Sequence, residues 1–213
     1  MTEALYPLLA VSRLRMGTDG IGVTTLVSGA GCPLSCRWCI NKRLLREAPV
    51  RQVTAEQLLE LVKIDDLYFQ ATGGGITFGG GESLLHAAFI RRFREICPEE
   101  WRIRVETSLA VPAEQVKTVL VAADDFIVDC KDMDPEIYRR YTGKDSSLMR
   151  ENLRILLDAA GPERITVRVP LIPEYNTKED QAHSAELLRS MGFTKLDLFD
   201  YVIREKVNAA ISV

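Results

Sequence analysis

Hydrophobic positions along the chain follow two alternating patterns. Short β-prone runs, most of them rich in Val, Ile and Thr and the last alternating Leu and Phe with polar residues, predict strands over residues 22–27, 75–78, 103–107, 125–131, 165–171 and 195–200. Between them, apolar residues recur every three or four positions and predict helices over 55–64, 83–96, 148–159 and 178–191, with one more entered through Pro112. Thr54 with Gln57 three residues later forms a capping-box pattern, and Pro112 suits a first helical position. Gly161-Pro162 and Gly192 are stop signals. A shorter helix, 135–141, precedes the one that starts at Leu148. Strands alternating with helices mean βαβ units and a parallel sheet. Six units fall short of the eight, and of the about 250 residues, of a complete barrel. The expected fold is therefore α/β, an open, partial barrel or twisted open sheet. With no linker, repeat or low-complexity stretch, residues 1–213 read as one domain.

Composition narrows the function classes. The 213 residues carry 27 Lys+Arg against 30 Asp+Glu, a net charge of −3, and no long basic run. That argues against non-specific nucleic-acid binding. A membrane-spanning helix needs about 20 mostly apolar residues, and the sequence contains no such run. The first fifteen residues place an acid before their bases, with no basic segment ahead of the short apolar run, so they read poorly as a signal peptide. The reading is a cytoplasmic protein.

Five cysteines change the picture: Cys32, Cys36, Cys39, Cys97 and Cys130, three of them within eight residues. An odd count crowded in this way does not suit a secreted disulfide framework. The first predicted strand runs into residues 31–41, where the spacing C-x3-C-x2-C lets one loop direct three thiolates at one site. Structural zinc prefers four closed ligands. An iron–sulfur cubane takes four thiolates, so three leave one iron open to a non-protein ligand. A three-cysteine zinc site with a distant fourth ligand is the alternative. Further polar residues recur where strands end. They are the glycine-rich stretch 73–81 with Glu82, then Glu106 and Thr107, Asp129 and Lys131, Arg168 on the fifth strand and Asp200 on the sixth. In barrel enzymes such positions converge on one face. Cys130, between Asp129 and Lys131, should point into the core. Cys97, His86 and His183 read as structural, and Arg91, Arg92 and Arg94 as a solvated helix face.

The cysteine loop resembles the signature of the radical S-adenosylmethionine (SAM) superfamily. The motifs Thr18-Asp19-Gly20, Gly79-Gly80-Gly81-Glu82, Asp129-Cys130-Lys131-Asp132-Met133-Asp134, Tyr141-Thr142-Gly143 and Arg168-Val169-Pro170 are similar, in the same order, to those of glycyl radical enzyme activating enzymes of the pyruvate formate-lyase activating type. The resemblance implies a partial (β/α)6 radical SAM barrel and an oxidoreductase. In that family a 4Fe–4S cluster reductively cleaves SAM to a 5′-deoxyadenosyl radical, which abstracts hydrogen from a polypeptide. It implies that Cys32, Cys36 and Cys39 hold the one cluster. Gly80, Gly81 and Glu82 would bind the SAM amino group. Glu106 would lie near the ribose and, with Thr107 and Asp129, a monovalent cation, while Lys131 and Arg168 would face the SAM carboxylate. Trp38 would shield the cluster or stack near adenine. The implied partners are a protein or peptide substrate, such as a glycyl radical enzyme, and a low-potential donor such as flavodoxin or ferredoxin. Two departures stand out: Val202 occupies the position of a family His, and the chain lacks the C-terminal helix of longer relatives. Two other readings remain open. One is radical modification of a ribosomal peptide or small molecule. The other is an iron–sulfur module that does not cleave SAM.

Overall fold

The structure, a computed structural model, describes residues 4–201. Among these residues eight strands form one sheet: β1 (Tyr6–Met16), β2 (Val23–Gly29), β3 (Arg51–Val53), β4 (Gly75–Gly80), β5 (Arg102–Thr107), β6 (Asp125–Asp129), β7 (Ile165–Leu171) and β8 (Lys195–Asp200). Their order is β3-β1-β2-β4-β5-β6-β7-β8, an open sheet whose outer strands are β3 and β8. β2 and β4 through β8 are parallel and neighbour each other in chain order. These are the six predicted strands, so the partial six-unit barrel is present. β1 and β3 extend it in antiparallel fashion.

The helices α1 (Lys42–Glu47), α2 (Ala55–Val62), α3 (Asp66–Thr72), α4 (Ala87–Ile96), α5 (Ala113–Val119), α6 (Pro135–Thr142), α7 (Ser147–Ala160) and α8 (Lys178–Met191) connect the strands. Their apolar faces meet one face of the sheet. Ile76, Phe78, Ile103, Val105, Phe126, Val128, Val167 and Val169 are buried against Leu58, Phe89, Phe93, Val116, Leu153, Leu156 and Leu188. Alternation then turns the intervening strand residues, among them Thr77, Arg104, Glu106, Asp129 and Arg168, to the other face. That face lines the barrel interior.

Several boundaries differ from the sequence reading. The fourth predicted strand, 125–131, over-extends the observed one: β6 ends at Asp129, because the Cys130 amide already turns to the Val128 and Arg168 carbonyls. The helix expected over 55–64 stops at Val62, and a 3-10 turn, Lys63–Asp65, bends the chain into α3. The stretch 83–96 opens as a 3-10 turn, Ser83–His86, before α4. Pro112 caps α5 rather than starting it. β1, β3 and α1 lie in stretches the apolar pattern left unassigned. β1 carries Pro7, Ser12, Arg13 and Arg15 and is only partly buried, which blurs its alternation. Arg13 on β1 is fixed by the buried Asp65, which also accepts from Thr25 Oγ1 at 2.7 Å.

The Gly17–Gly22 segment folds into the barrel interior below the strand ends. The Thr18 carbonyl accepts from Arg168 Nη2 at 2.9 Å, and Asp19 is buried in an ion pair with Arg15. Gly20 has φ +108°, and a Cβ there would lie 2.3 Å from the Nε of buried Arg104. Only glycine fits between the two.

Candidate active site at the carboxyl ends of the strands

The loop after β2 carries the three cysteines and is gripped from three sides. Ser35 and Arg37 amides donate to the Thr142 and Tyr141 carbonyls at the end of α6, at 2.8 and 3.1 Å. Asn41 Nδ2 donates to the Gly80 carbonyl at 2.8 Å. The Tyr201 hydroxyl donates to the Trp38 carbonyl. The turn after β4 closes against the root of the loop, where the Gly81 and Glu82 amides donate to Gly29 and Gly31 at 3.0 and 2.8 Å. A Cβ on Gly81 would lie 2.1 Å from the Gly31 carbonyl oxygen, so that approach requires glycine.

A cavity of about 690 Å³ opens between this loop and the strand ends. Its wall brings together Cys32, Cys36, Cys39, Gly80, Gly81, Glu82, Glu106, Thr107, Asp129, Lys131 and Arg168. Every site residue singled out from the sequence is there except Trp38, whose ring stacks under the Arg37 guanidinium at 5.0 Å. Asn41, Ser108 and Tyr201 also line the cavity and were given no role from the sequence. Asn41 ends the cysteine stretch and Ser108 follows Glu106-Thr107, so adjacency was the available signal. A more open groove of about 880 Å³, lined by Leu59, Lys63, Ile96, Cys97 and Trp101, lies beside the start of β5 and contains none of these groups.

Glu82 is buried, and both its oxygens are committed. Oε1 accepts from Thr107 Oγ1 at 2.6 Å and the Leu84 amide at 3.1 Å; Oε2 accepts from the Ser108 amide and hydroxyl at 2.8 and 2.6 Å. Next to it runs a chain of alternating charge. Lys131 Nζ lies 3.1 Å from Asp129 Oδ2, Arg168 Nη1 3.7 Å from Asp129 Oδ1, and Arg168 Nη2 3.0 Å from Glu106 Oε1. The parallel register opposes Asp129 to Arg168 and Arg168 to Asp197, so neighbouring strands set this spacing. Arg168 thus bridges the two carboxylates expected to share a monovalent cation. Thr107, the third member of that expected set, turns its hydroxyl to Glu82.

The charges shift one another. Burial works to raise Asp129, but Lys131 and Arg168 outweigh it and hold it below the usual carboxylate range. Burial pushes Glu106 up to about 7, against the pull of Arg168 and with help from Asp129 and Asp19. Burial also raises the Cys32 thiol, and pushes Cys36 up to about 11 although Lys131 favours its thiolate. Burial alone therefore favours the thiols, and a cation with high thiolate affinity is what would ionise them.

The donor set fits an iron–sulfur cluster. Among the described residues no three His, Cys, Asp or Glu side chains converge on a single-ion site. A cubane places each thiolate on a different iron, and three cysteines spread along one cavity wall suit that. Cys130, by contrast, is fully buried in the core as expected. Cys97 packs beside Arg94. Arg94 itself departs from the solvated reading: it turns inward to Asp124 and the Ala122 and Trp101 carbonyls. His86 bonds the Ala30 carbonyl at 2.8 Å. The position of Val202 lies outside the described residues.

Fold and site together define a partial α/β barrel with a trithiolate loop at the mouth. The sequence model of the radical SAM superfamily matches residues 26–187, and the chain belongs to that superfamily. The (2S)-3-sulfopropanediol dehydratase activating enzyme of Klebsiella oxytoca is 35% identical over 127 residues, covering 59% of this chain and 39% of that one. The pyruvate formate-lyase 2-activating enzyme of Escherichia coli K12 is 26% identical, covering 86% of this chain and 73% of that one. The matched region is thus well under half of the Klebsiella relative. Among solved structures, Streptococcus suis SuiB superposes with a TM-score of 0.64 at 10% identity, over 88% of this chain and 46% of that one. The fold is that of a radical SAM domain.

Proposed function

We propose that this chain is a glycyl radical enzyme activase: it binds one 4Fe–4S cluster and SAM in the 690 Å³ cavity and removes a hydrogen atom from a polypeptide. The carrying observation is the convergence of three cysteines and a two-cation, two-carboxylate chain on one cavity at the strand ends. The names of the relatives, each an activating enzyme, support the polypeptide target. When bound, the cluster and SAM supply one-electron cleavage of a sulfonium to a 5′-deoxyadenosyl radical.

The protein's own residues do the holding and screening. Cys32, Cys36 and Cys39 supply three thiolates, and Lys131 places a positive charge on their side of the cavity. Arg168 and Lys131 offer charge-assisted donors to the SAM carboxylate. The Gly80 carbonyl uses one lone pair on Asn41 and keeps the other for the SAM ammonium. Glu82 contributes by fixing Thr107 and Ser108 beneath that turn. Glu106 and Asp129 accept from the ribose side, where a monovalent cation would compete with Arg168 for both. Cys32 is exposed, as are the neighbouring Arg37, Lys42, Arg43 and Arg46. That basic surface suits an acidic low-potential donor such as flavodoxin or ferredoxin.

The test is anaerobic incubation of the reduced, cluster-loaded protein and SAM with a candidate glycyl radical enzyme. The expected result is a glycyl doublet in the electron paramagnetic resonance spectrum of the partner. SAM cleavage with no polypeptide radical, and deuterium transfer from a small labelled substrate instead, would overturn the activase reading.

A further inference from the structure

Leu109 has a φ of +58°, a left-handed conformation that is strained for any residue with a Cβ. Among the described residues Leu14 and Glu174 share it, and both are exposed, whereas Leu109 is fully buried. It lies in the 107–111 loop, by which the chain leaves β5 beside the cavity. Thr107 and Ser108 of this loop give Glu82 three of its four hydrogen bonds. The loop's own amides orient the two hydroxyls: Leu109 N donates to Thr107 Oγ1 at 2.9 Å and Ala110 N to Ser108 Oγ at 3.5 Å. The backbone conformation at Leu109 therefore decides where both hydroxyls point.

Asn152 on α7 fastens this loop. Its Nδ2 donates to the Leu109 carbonyl at 2.9 Å and to the Val111 carbonyl at 2.7 Å, drawing together the two carbonyls on either side of Ala110. Asn152 is 1% exposed and stands among Met149, Leu153 and Leu156, the apolar face that α7 packs inward. Its Oδ1 has no hydrogen-bond partner among the described residues. A buried amide with an unmet oxygen is a cost that a leucine at this position would not carry. Helix packing gives no reason for the amide; its two bonds to the loop do.

We propose that Asn152 is a positioning residue for SAM: it holds Leu109 in its left-handed conformation, and the loop, through Thr107, Ser108 and Glu82, sets the Gly80 carbonyl that takes the SAM ammonium. This rests on the SAM-binding reading above. The turn after β4 has two attachments. Its Gly81 and Glu82 amides tie it to the root of the cysteine loop, and the Glu82 carboxylate ties it to the 107–111 loop. Loss of Asn152 releases the second and leaves the first, so the cysteine loop keeps its place.

The experiment compares wild type with Asn152→Leu, which keeps the volume and suits the apolar face while removing both donors. Two double variants add Leu109→Gly or Leu109→Ala. Both lose the leucine side chain, but only glycine takes a left-handed conformation unaided. SAM affinity is measured by calorimetry on the cluster-loaded proteins, and hydrogen exchange of the Leu84, Ser108 and Leu109 amides by nuclear magnetic resonance on the metal-free ones. In N152L, iron content and the reduced cluster's spectrum without SAM should match wild type. SAM binding should weaken on the order of tenfold, as when a metal site loses an outer-shell partner, and the three amides should exchange faster. Adding Leu109→Gly should restore affinity and protection, and adding Leu109→Ala should not. Affinity and exchange equal to wild type in N152L would overturn the proposal, even with a lowered thermal midpoint, and so would two double variants that behave alike. A wild-type chain that binds the cluster but not SAM would instead overturn the SAM reading. Should N152L fail to fold, Asn152→Ala carries the same expectations.

Discussion

Glu82 carries four hydrogen bonds on a buried carboxylate, so its chemistry can be separated from its sequence motif. A carboxylate accepts at both oxygens, whereas an amide presents two N–H groups on one side. Glu82→Gln would aim donors at Thr107 or Ser108, both of which already donate. Destabilisation of about 1–3 kcal/mol is expected, read as a lower thermal midpoint of the metal-free protein. A midpoint equal to wild type would show that the network does not hold the turn. Glu106 predicts a pH effect of definite sign. Its folded pKa is raised to about 7 from an ordinary 4.5, so between those values the folded chain keeps a proton the unfolded chain has lost. Stability should therefore fall as pH rises from 4.5 to about 7 and level off above. Glu106→Gln should flatten that fall in denaturant titrations across the window; parallel pH curves for the two proteins would contradict the assignment.

At the scale of elements, the site depends on two chain segments locked by glycine. The Gly17–Gly22 segment fills the barrel interior, and Gly20 touches Arg104 where no side chain fits. Gly20→Ala should displace the segment, release the Thr18 contact to Arg168 and weaken SAM binding, measured by calorimetry on the cluster-loaded protein. Gly17→Ala is a useful comparison: a Cβ there meets nothing within 4 Å, so only its positive φ of +75° is strained. It should cost about 1 kcal/mol of stability, as a left-handed backbone conformation does for a residue with a Cβ. The parallel strands were legible because short β-prone runs alternate with capped, stopped helices, and the capping box read at Thr54 is formed; the one at Thr177 was found only in the structure. β1 was not legible. Its mixture of Pro7, Arg13 and Arg15 makes sense only once Asp65 and Asp19 are seen to pair with the arginines. Partners that lie off the strand, Asp19 in the next turn of chain and Asp65 in a distant helical turn, leave no local period in the sequence.

Across the whole molecule, the site was more legible than the fold's edges. Three thiols within eight residues and polar residues at successive strand ends are local signals, and the parallel register turns them into one cavity. What the sequence could not show is how the carboxylates are used. Glu82 reads as a ligand group by motif, yet it is saturated by protein donors. Arg168 reads as a carboxylate partner, yet it bridges Glu106 and Asp129. Those relations come from strand spacing, which one-dimensional pattern does not encode. Trp38 shows the reverse: its place in the loop suggested a cavity wall, and packing turned it under Arg37 instead.

The central claim is that this cavity binds a trithiolate cluster competent to cleave SAM. The most direct test is 5′-deoxyadenosine formation by anaerobically reconstituted, dithionite-reduced protein given SAM, with Cys36→Ala as control. The account predicts about four irons bound per wild-type chain, product formed, and both iron and product lost in the variant. Iron bound with no product, and no SAM-induced change in the spectrum of the reduced cluster, would contradict it and leave an iron–sulfur module that does not cleave SAM.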